Sequence, residues 1–253
     1  PGPATGAFPG WAGLLEAWHS QGELLSFARL ALPGVLSMTE WWFWEVTCFR
    51  AGTFGAEQLA AHSLIYMLVP LLFQVPRGIR DGLGSRAGHL LGEGRGAAAR
   101  NVTLGAVLVG TCLVCFDAAL ASAWRAEYIS LMTEPSGQVA LLCEEVWPYV
   151  TFFLVVDGLF PLHQGVCNVL GLQSRVSASM IVSLWVVGLP SVLYLTTDFL
   201  SLWQVFPFLY ILLDLLLLLA WALVDWDLAA QRASCKLQAG PAPSPCARAR
   251  HAR

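Results

Sequence analysis

Two carboxylates and three tryptophans occur together in residues 40–45, which read EWWFWE. The surrounding residues 27–49 form an apolar stretch of about the length that crosses a bilayer. A carboxylate at the centre of a bilayer costs roughly 2.5–3.5 kcal/mol on insertion scales. Glu40 and Glu45 therefore need a polar cavity, a proton or a cation. Carboxylates beside aromatic faces are also suited to binding an apolar cation.

The composition is that of a membrane protein. Of 253 residues, 57% are hydrophobic and 12% are charged, whereas soluble domains carry about 25% charged residues. The net charge of −3 does not favour nucleic acid as a partner. The sequence shows no nucleophile–base pair, phosphate loop or metal-ligand spacing, so it predicts neither an enzyme nor a metal or cofactor site.

Six hydrophobic spans are predicted, at residues 27–49, 58–79, 102–124, 139–163, 176–196 and 202–225. They predict an all-α membrane protein with a six-helix transmembrane lobe at residues 27–230. Residues 1–26 are predicted to be a membrane-proximal linker, and residues 231–253 a disordered cytoplasmic tail. Pro70 and Pro76 in the second span and Pro190 in the fifth predict kinks, because proline removes a helical hydrogen bond.

The basic residues predict how the spans are oriented. With a cytoplasmic N-terminus, twelve of the fourteen Lys and Arg lie on the cytoplasmic side, and Arg50 and Arg125 lie outside. Six spans then return the C-terminus to the cytoplasm. The chain begins with Pro1 and shows no signal peptide. We interpret it as a fragment of a longer protein.

Several motifs, taken in order, resemble one transporter family. Besides residues 40–45 they are GAEQLAAHS at 55–63, SRAGHLLGEG at 85–94, the stretch 164–173, and VGLP at 187–190. The set resembles the C-terminal lobe of multidrug and toxin extrusion (MATE) transporters, and is most similar to the animal exporters that exchange organic cations for protons. The resemblance extends from about residue 9 to residue 230.

This resemblance implies a twelve-helix, two-lobe transporter of which the chain supplies one lobe. The implied partners are the missing N-terminal lobe or a second copy, the lipid bilayer, small organic cations and protons. The implied location is the plasma membrane, as a multi-pass protein, and the implied function is export of xenobiotic cations in exchange for protons. The alternatives are a non-transporting half-molecule that binds or regulates a full-length transporter, and a sodium-coupled member of the family.

The same resemblance assigns candidate site residues. Those implied to bind protons or cations are Glu40, Glu45 and Asp157, and those implied to line the substrate cleft are Trp41, Trp44, Tyr66 and Gln164. Asp157 stands where the family has a glutamate. Met67 replaces another family glutamate, so one ionisable group of the usual set is missing.

The residues themselves leave some of these roles open. Glu40 and Glu45 are five positions apart, about 140° around a helix, so they do not share one face. Gln164 is equally suited to a hydrogen bond between helices. In the implied mechanism a proton and an organic cation compete for the same carboxylates, so that protonation releases the cation.

Overall fold

The computed structural model describes residues 31–32, 35–36 and 39–238, and this part of the chain contains helices and no strands. The predicted linker at residues 1–26 lies outside the described residues. The helices are α1 (Thr39–Phe54), α2 (Ala56–Leu72), α3 (Gln74–Gly92), α4 (Gly96–Ala123), α5 (Arg125–Met132), α6 (Gln138–Val169), α7 (Gln173–Met180), α8 (Phe199–Ala222) and α9 (Trp226–Gln238). Two segments with π-helical hydrogen bonding, Ile181–Gly188 and Ser191–Leu195, continue α7.

Five helical stretches in the described residues are long and apolar enough to cross a membrane. They are Ala56–Gly92, Gly96–Ala123, Gln138–Val169, Gln173–Leu195 and Phe199–Ala222, of 37, 28, 32, 23 and 24 residues. About 20 residues suffice to span the hydrocarbon core. These stretches correspond to the second through sixth predicted spans. The first predicted span, 27–49, lies partly outside the described residues, and α1 contains its second half. The all-α membrane fold is thereby confirmed.

Prolines interrupt the helices where the sequence predicts kinks. The stretch Ala56–Gly92 is broken at Phe73, between Pro70 and Pro76. Each proline lacks the N–H that would bond the carbonyl four residues earlier, so the helix is weakened on both sides of Phe73. Pro190 likewise separates the two π-helical segments. Neighbouring helices make such breaks tolerable in a membrane.

Helix α6 is the centre of the bundle, and packs against α2, α3, α4 and α8. Its apolar residues point in all directions, as expected for a helix surrounded by others. The largest fully buried side chains of α6 and α8 are Trp147, Phe153, Phe160, Trp203, Phe206 and Tyr210. Because α6 contacts so many helices, a polar side chain on it can face several of them.

Helix α9 corrects the predicted boundary of the disordered tail at residue 231, since the helix continues to Gln238. It packs against α3 and α4. Trp226 and Ala230 lie one helical turn apart and are buried there. A short helix with so narrow an apolar face is hard to recognise from hydropathy, which responds to long apolar runs. The rest of the predicted tail, 239–253, lies outside the described residues.

Helices α4 and α6 approach closely at two glycines. A Cβ atom on Gly158 would lie 2.6 Å from Cγ1 of Val114, and one on Gly110 would lie 2.7 Å from Cδ1 of Leu162. Each helix therefore places a branched side chain against a glycine of the other. Small residues allow this kind of approach in membrane proteins. Because Gly158 follows Asp157, the contact determines how closely Asp157 approaches α4.

Replacing Gly158 should loosen this contact. In Gly158→Ala the added methyl group overlaps Val114, whose β-branched side chain has little freedom to move. We expect the free energy of unfolding to fall by about 1–3 kcal/mol, measured by thermal unfolding in detergent. The control is Gly105→Ala on α4, because nothing lies within 4 Å of a Cβ there. Equal stability of the two variants would contradict the close packing.

Helix α8 begins with a capping box. The carboxylate of Asp198 accepts a hydrogen bond from the backbone N–H of Ser201 at 2.8 Å, and the Ser201 hydroxyl accepts one from the backbone N–H of Asp198 at 3.1 Å. Such reciprocal bonds satisfy backbone donors at a helix N-terminus. Asp198 lies between two membrane-spanning stretches, and its hydrogen bonds with Ser201 lower the pKa of the carboxyl below its usual value.

Removal of this cap should destabilise α8. We expect Asp198→Ala to lower the free energy of unfolding by about 0.5–2 kcal/mol at neutral pH. Because the folded pKa is below the unfolded one, the ionic contribution is present above the unfolded pKa, about 3.9, and is lost as the pH falls through the folded pKa. Asp198→Asn can still accept the bond, and should lose less stability than wild type over that acidic range. Thermal unfolding as a function of pH tests both variants. If wild type and Asp198→Asn lost stability equally as the pH fell, the ionic contribution assigned to Asp198 would be contradicted.

Candidate functional site

A cavity of about 300 Å³ lies between α1, α2 and α6. Five of the predicted site residues border it together with Val69, Pro70 and Phe73: Glu40, Trp41, Trp44, Tyr66 and Asp157. They come from helices far apart in sequence, and the kink around Phe73 forms part of the wall. The cavity therefore combines two carboxyl groups with three aromatic rings, which is the chemistry predicted for a cationic ligand.

Tyr210 connects two of these residues. Its hydroxyl donates a hydrogen bond to Oε1 of Glu40 at 2.8 Å and accepts one from Nε1 of Trp44 at 3.2 Å. Because an indole N–H can only donate, the single hydroxyl hydrogen is left for Glu40. Oε1 is then an acceptor, and Oε2 is the oxygen available to a proton or a cation. Sequence reasoning missed Tyr210, although a hydroxyl in the Leu-rich sixth span was a usable signal.

The three aromatic residues differ in how accessible they are. Trp44 is 4% exposed and lies among other rings, with centroid distances of 5.4 Å to Tyr66, 5.4 Å to Phe153 and 5.2 Å to Phe206. Trp41 is 39% exposed, and Tyr66 is half-buried. A ligand in the cavity would therefore find its most open aromatic surface on Trp41, while Trp44 orients Tyr66 and Tyr210.

Asp157 is the most deeply buried carboxyl group of the cavity. It is 3% exposed, and among the described residues no side chain or backbone group hydrogen-bonds to it. It lies within electrostatic range of Glu40 and of Asp214. Pro161 has no N–H to bond the Asp157 carbonyl four positions earlier. The carboxyl group of Asp157 thus lacks the hydrogen bonds that normally compensate for burial of a polar group.

Two predicted site residues lie away from this cavity. Glu45 is on the exposed side of α1, and does not line the cavity, as its angular separation from Glu40 predicts. Gln164 accepts a hydrogen bond from Nη1 of Arg80 at 2.9 Å and joins α6 to α3. Of the two roles that the sequence allowed for Gln164, this is the hydrogen bond between helices. Met67 is 64% exposed, beside Tyr66 on α2.

A second buried polar pair lies between α6 and α8. Nδ1 of His163 lies 3.0 Å from Oδ1 of Asp214, and this contact joins α6 to α8. It gives Oδ1 of Asp214 a partner within the bundle, while Oδ2 is buried without one. No group of three or more His, Cys, Asp or Glu side chains in the described part of the chain could hold a metal ion.

Comparison with known proteins identifies the family. The family model MatE matches residues 34–193, more than half of the chain, so this chain belongs to the MatE family. It is 30% identical over 173 residues to an uncharacterized transporter of Schizosaccharomyces pombe, and the alignment covers 67% of this chain and 32% of the relative. It is 28% identical over 232 residues to Multidrug and toxin extrusion protein 2 of Homo sapiens, and this alignment covers 88% of this chain and 37% of the relative.

A solved structure has a similar fold. The crystal structure of the eukaryotic MATE transporter AtDTX14 superimposes with a TM-score of 0.75 at 19% identity, over 86% of this chain and 49% of that one. The chain thus spans about a third to a half of the length of the relatives it matches. Proteins of this family are multi-pass membrane transporters and not enzymes, as the sequence predicted.

The contact of Tyr210 with Glu40 can be tested directly. Tyr210→Phe leaves a buried carboxyl oxygen and the Trp44 indole N–H without a partner, so we expect the free energy of unfolding to fall by about 1–3 kcal/mol. Thermal unfolding in detergent measures the change. The matched control is Tyr149→Phe, because the Tyr149 hydroxyl bonds the Gln204 amide at 3.0 Å, between α6 and α8.

A double-mutant cycle assigns the effect to the pair. Tyr210→Phe combined with Glu40→Gln should show a coupling of about 0.5–3 kcal/mol, as expected for residues in direct contact. Tyr149→Phe combined with Glu40→Gln should be additive. Additivity of the Tyr210 pair as well would show that the bond contributes nothing to stability.

Proposed function

We propose that the chain forms one lobe of an antiporter that exports organic cations in exchange for protons. The observation that carries the proposal is the hydrogen bond between Tyr210 and Glu40 at the wall of a cavity that also contains Asp157 and three aromatic rings. The family supports transport as the activity. The printed name of the human relative, a multidrug and toxin extrusion protein, supports a drug-like substrate.

In this proposal Glu40 and Asp157 hold either a proton or the charge of the cation. Tyr210 donates to Oε1 of Glu40, which leaves Oε2 for the exchanging partner. Aromatic faces add roughly 0.5–2 kcal/mol of attraction for a cation and tolerate many shapes. Protonation removes the charge that attracts the substrate, and release follows because the two ligands compete for the same carboxyl groups.

Glu45, which is exposed in this structure, has a proposed role in the complete transporter. Glu45 lies outside the cavity of the isolated lobe, and we propose that a second lobe, either an N-terminal half or a second copy, covers it and completes the cleft. A plasma-membrane location with both ends of the chain in the cytoplasm belongs to the same proposal, supported by the distribution of Lys and Arg. Gln164 would then support the cleft by its bond to Arg80 and not by contact with substrate.

One observation favours a second candidate function. Met67 replaces a glutamate that the family resemblance implies, and it lies on the exposed side of α2. A lobe that lacks this acid could bind and regulate a full-length transporter without transporting anything itself. A sodium-coupled transporter is the other alternative, and a sodium requirement for uptake would distinguish it.

Uptake of a labelled organic cation tests the proposal. Vesicles that contain the chain should accumulate the cation when a pH gradient is imposed, and Glu40→Gln, Glu45→Gln and Asp157→Asn should each lower uptake. For Glu40→Gln we expect a reduction of about tenfold or more, since a charge-assisted hydrogen bond contributes roughly 1.5–3 kcal/mol. The control is Glu145→Gln, an exposed carboxylate on α6 away from the cavity.

The outcomes separate the candidates. Uptake that needs sodium and not a pH gradient would identify a sodium-coupled transporter. A correctly inserted chain without uptake would contradict transport by this lobe alone and favour the regulatory half-molecule. Unchanged uptake in Glu45→Gln would remove that residue from the mechanism.

A further inference from the structure

Helices α6 and α8 bury an acid and a base that the proposed exchange does not use. Nδ1 of His163 and Oδ1 of Asp214 lie 3.0 Å apart, and the two residues are 9% and 8% exposed. Among the described residues, Oδ2 of Asp214 is buried without a hydrogen-bond partner, and so is the indole nitrogen of Trp221, whose ring centroid lies 6.3 Å from that of His163. The pair joins two helices, yet some of the polar atoms around it are unsatisfied.

Three placements of the hydrogens are compatible with this contact. If a neutral His163 donates its Nδ1 hydrogen to an ionised Asp214, the pair carries a single negative charge. If both ring nitrogens of His163 carry hydrogen, or if a protonated Asp214 donates to Nδ1, the pair is neutral as a whole. The charged form and the neutral forms therefore differ by one proton, while the same two atoms stay in contact.

Asp157 is the acid that the charge of this pair affects. The carboxyl groups of Asp157 and Asp214 interact electrostatically inside the bundle. Among the described residues neither forms an ion pair with a lysine or an arginine. Burial of two negative charges close together is costly, so a proton on one group favours the ionised form of the other. A proton on the pair thus permits Asp157 to be ionised, and a proton on Asp157 permits the pair to be charged.

Helix α8 connects the pair to the first cavity. Tyr210, which donates to Glu40, precedes Asp214 by four residues, so the two lie on the same side of α8. Asp157 borders the first cavity, whereas His163 and Asp214 do not. A cation in the cavity can therefore interact with Asp157 without contacting the pair.

The other acidic groups near the pair add negative charge and do not compensate for it. Glu40 on α1 lies at the first cavity. Asp117 on α4 borders a second cavity, of about 250 Å³, that shares Phe73 and Asp157 with the first. The Cys167 thiol on α6 donates to a backbone carbonyl of α8 at 3.8 Å. None of these groups can supply a positive charge.

The basic groups of the neighbouring helices are engaged elsewhere. Arg80 on α3 bonds Gln164, and Arg175 on α7 bonds a backbone carbonyl of α8 at 3.1 Å. His62 on α2 packs against the ring of Trp203, with a centroid distance of 5.4 Å. Within the described residues, none of the three forms a hydrogen bond or an ion pair with the two buried aspartates of α6 and α8. The imidazole of the pair is therefore the base in contact with this buried acid.

We propose that His163 and Asp214 form a proton-binding site that acts together with Asp157, so that one proton is held either by the pair or by Asp157. The exchange is balanced, because the pair becomes neutral when Asp157 loses its proton and becomes ionised. An organic cation in the first cavity favours the ionised Asp157, and therefore the arrangement in which the pair holds the proton. The inference rests on the cation–proton exchange proposed above, and assigns a role to two residues that do not line the first cavity.

Nitrogen-15 NMR of the histidine side chains tests the proposal without transport. The chemical shifts of Nδ1 and Nε2 show which ring nitrogen carries hydrogen, so they separate the charged form of the pair, with hydrogen on Nδ1 alone, from the two neutral forms. The chain is labelled at histidine and purified in detergent, and the signals of His163 are those lost in His163→Gln. At neutral pH we expect the wild type to populate the neutral forms.

Removal of the neighbouring acid should change this distribution. In Asp157→Asn we expect the neutral forms of the pair to fall several-fold in favour of hydrogen on Nδ1 alone, because the charge that favours the proton on the pair is gone. Asp157→Glu keeps the carboxyl group and should retain the wild-type distribution. The matched control is Asp225→Asn, which makes the same chemical change at an exposed position and should have no effect. The signals of exposed His89 are the internal reference.

Two results would overturn the proposal. One is a wild-type His163 that carries hydrogen on Nδ1 alone at both neutral and mildly acidic pH, which needs no variant and would mean that the pair holds no exchangeable proton. The other is an equal distribution in wild type and in Asp157→Asn with unchanged elution from a sizing column. Failure of the proposed cation–proton exchange is distinguishable, because uptake would then be absent while the response of His163 to Asp157→Asn persisted.

Discussion

Carboxyl groups inside a helix bundle that spans a membrane are the constraint on which the other features depend. Each one costs free energy unless a donor, a proton or a cation offsets it. At Glu40 the offset comes from Tyr210, whose hydroxyl is itself held by Trp44. That arrangement needs α1 and α8 side by side, and the capping box at Asp198 determines where α8 begins. The contact between α1 and α8 thus depends on the hydrogen bond that the Glu40 carboxyl group accepts.

The buried polar groups fall into two classes. Asp214 has His163, and Gln164 has Arg80, so these pairs join helices, although Oδ2 of Asp214 is buried without a partner. Asp157 and Oδ2 of Asp117 have no partner among the described residues. Buried polar groups are normally satisfied, so the exceptions need an explanation. Asp157 and Asp117 border the cavities, whereas other exceptions, among them both ring nitrogens of His62, lie elsewhere in the core.

Backbone irregularities coincide with these cavities. The break at Phe73 lies between two prolines and forms the wall shared by both, while Pro161 removes a hydrogen bond from the carbonyl of Asp157. At Gly158 and Gly110, by contrast, α4 and α6 are in direct contact. The bundle thus combines close helix contacts at two glycines with cavities beside the interrupted helix at Phe73.

The sequence by itself determined the membrane class, the kinks at prolines and the family, and five of its six predicted spans are helices of membrane-crossing length in the described residues. Hydropathy, proline chemistry and motif order are local properties. It also identified Glu40, Asp157, Trp41, Trp44 and Tyr66 as residues of one neighbourhood. Only the tertiary structure decided that Gln164 bonds Arg80, that Tyr210 holds Glu40, and that a helix continues past residue 231. These facts depend on which helices are adjacent and how each is rotated. The cost of an unpaired polar group in lipid selects that arrangement, but a single sequence does not show which partners meet.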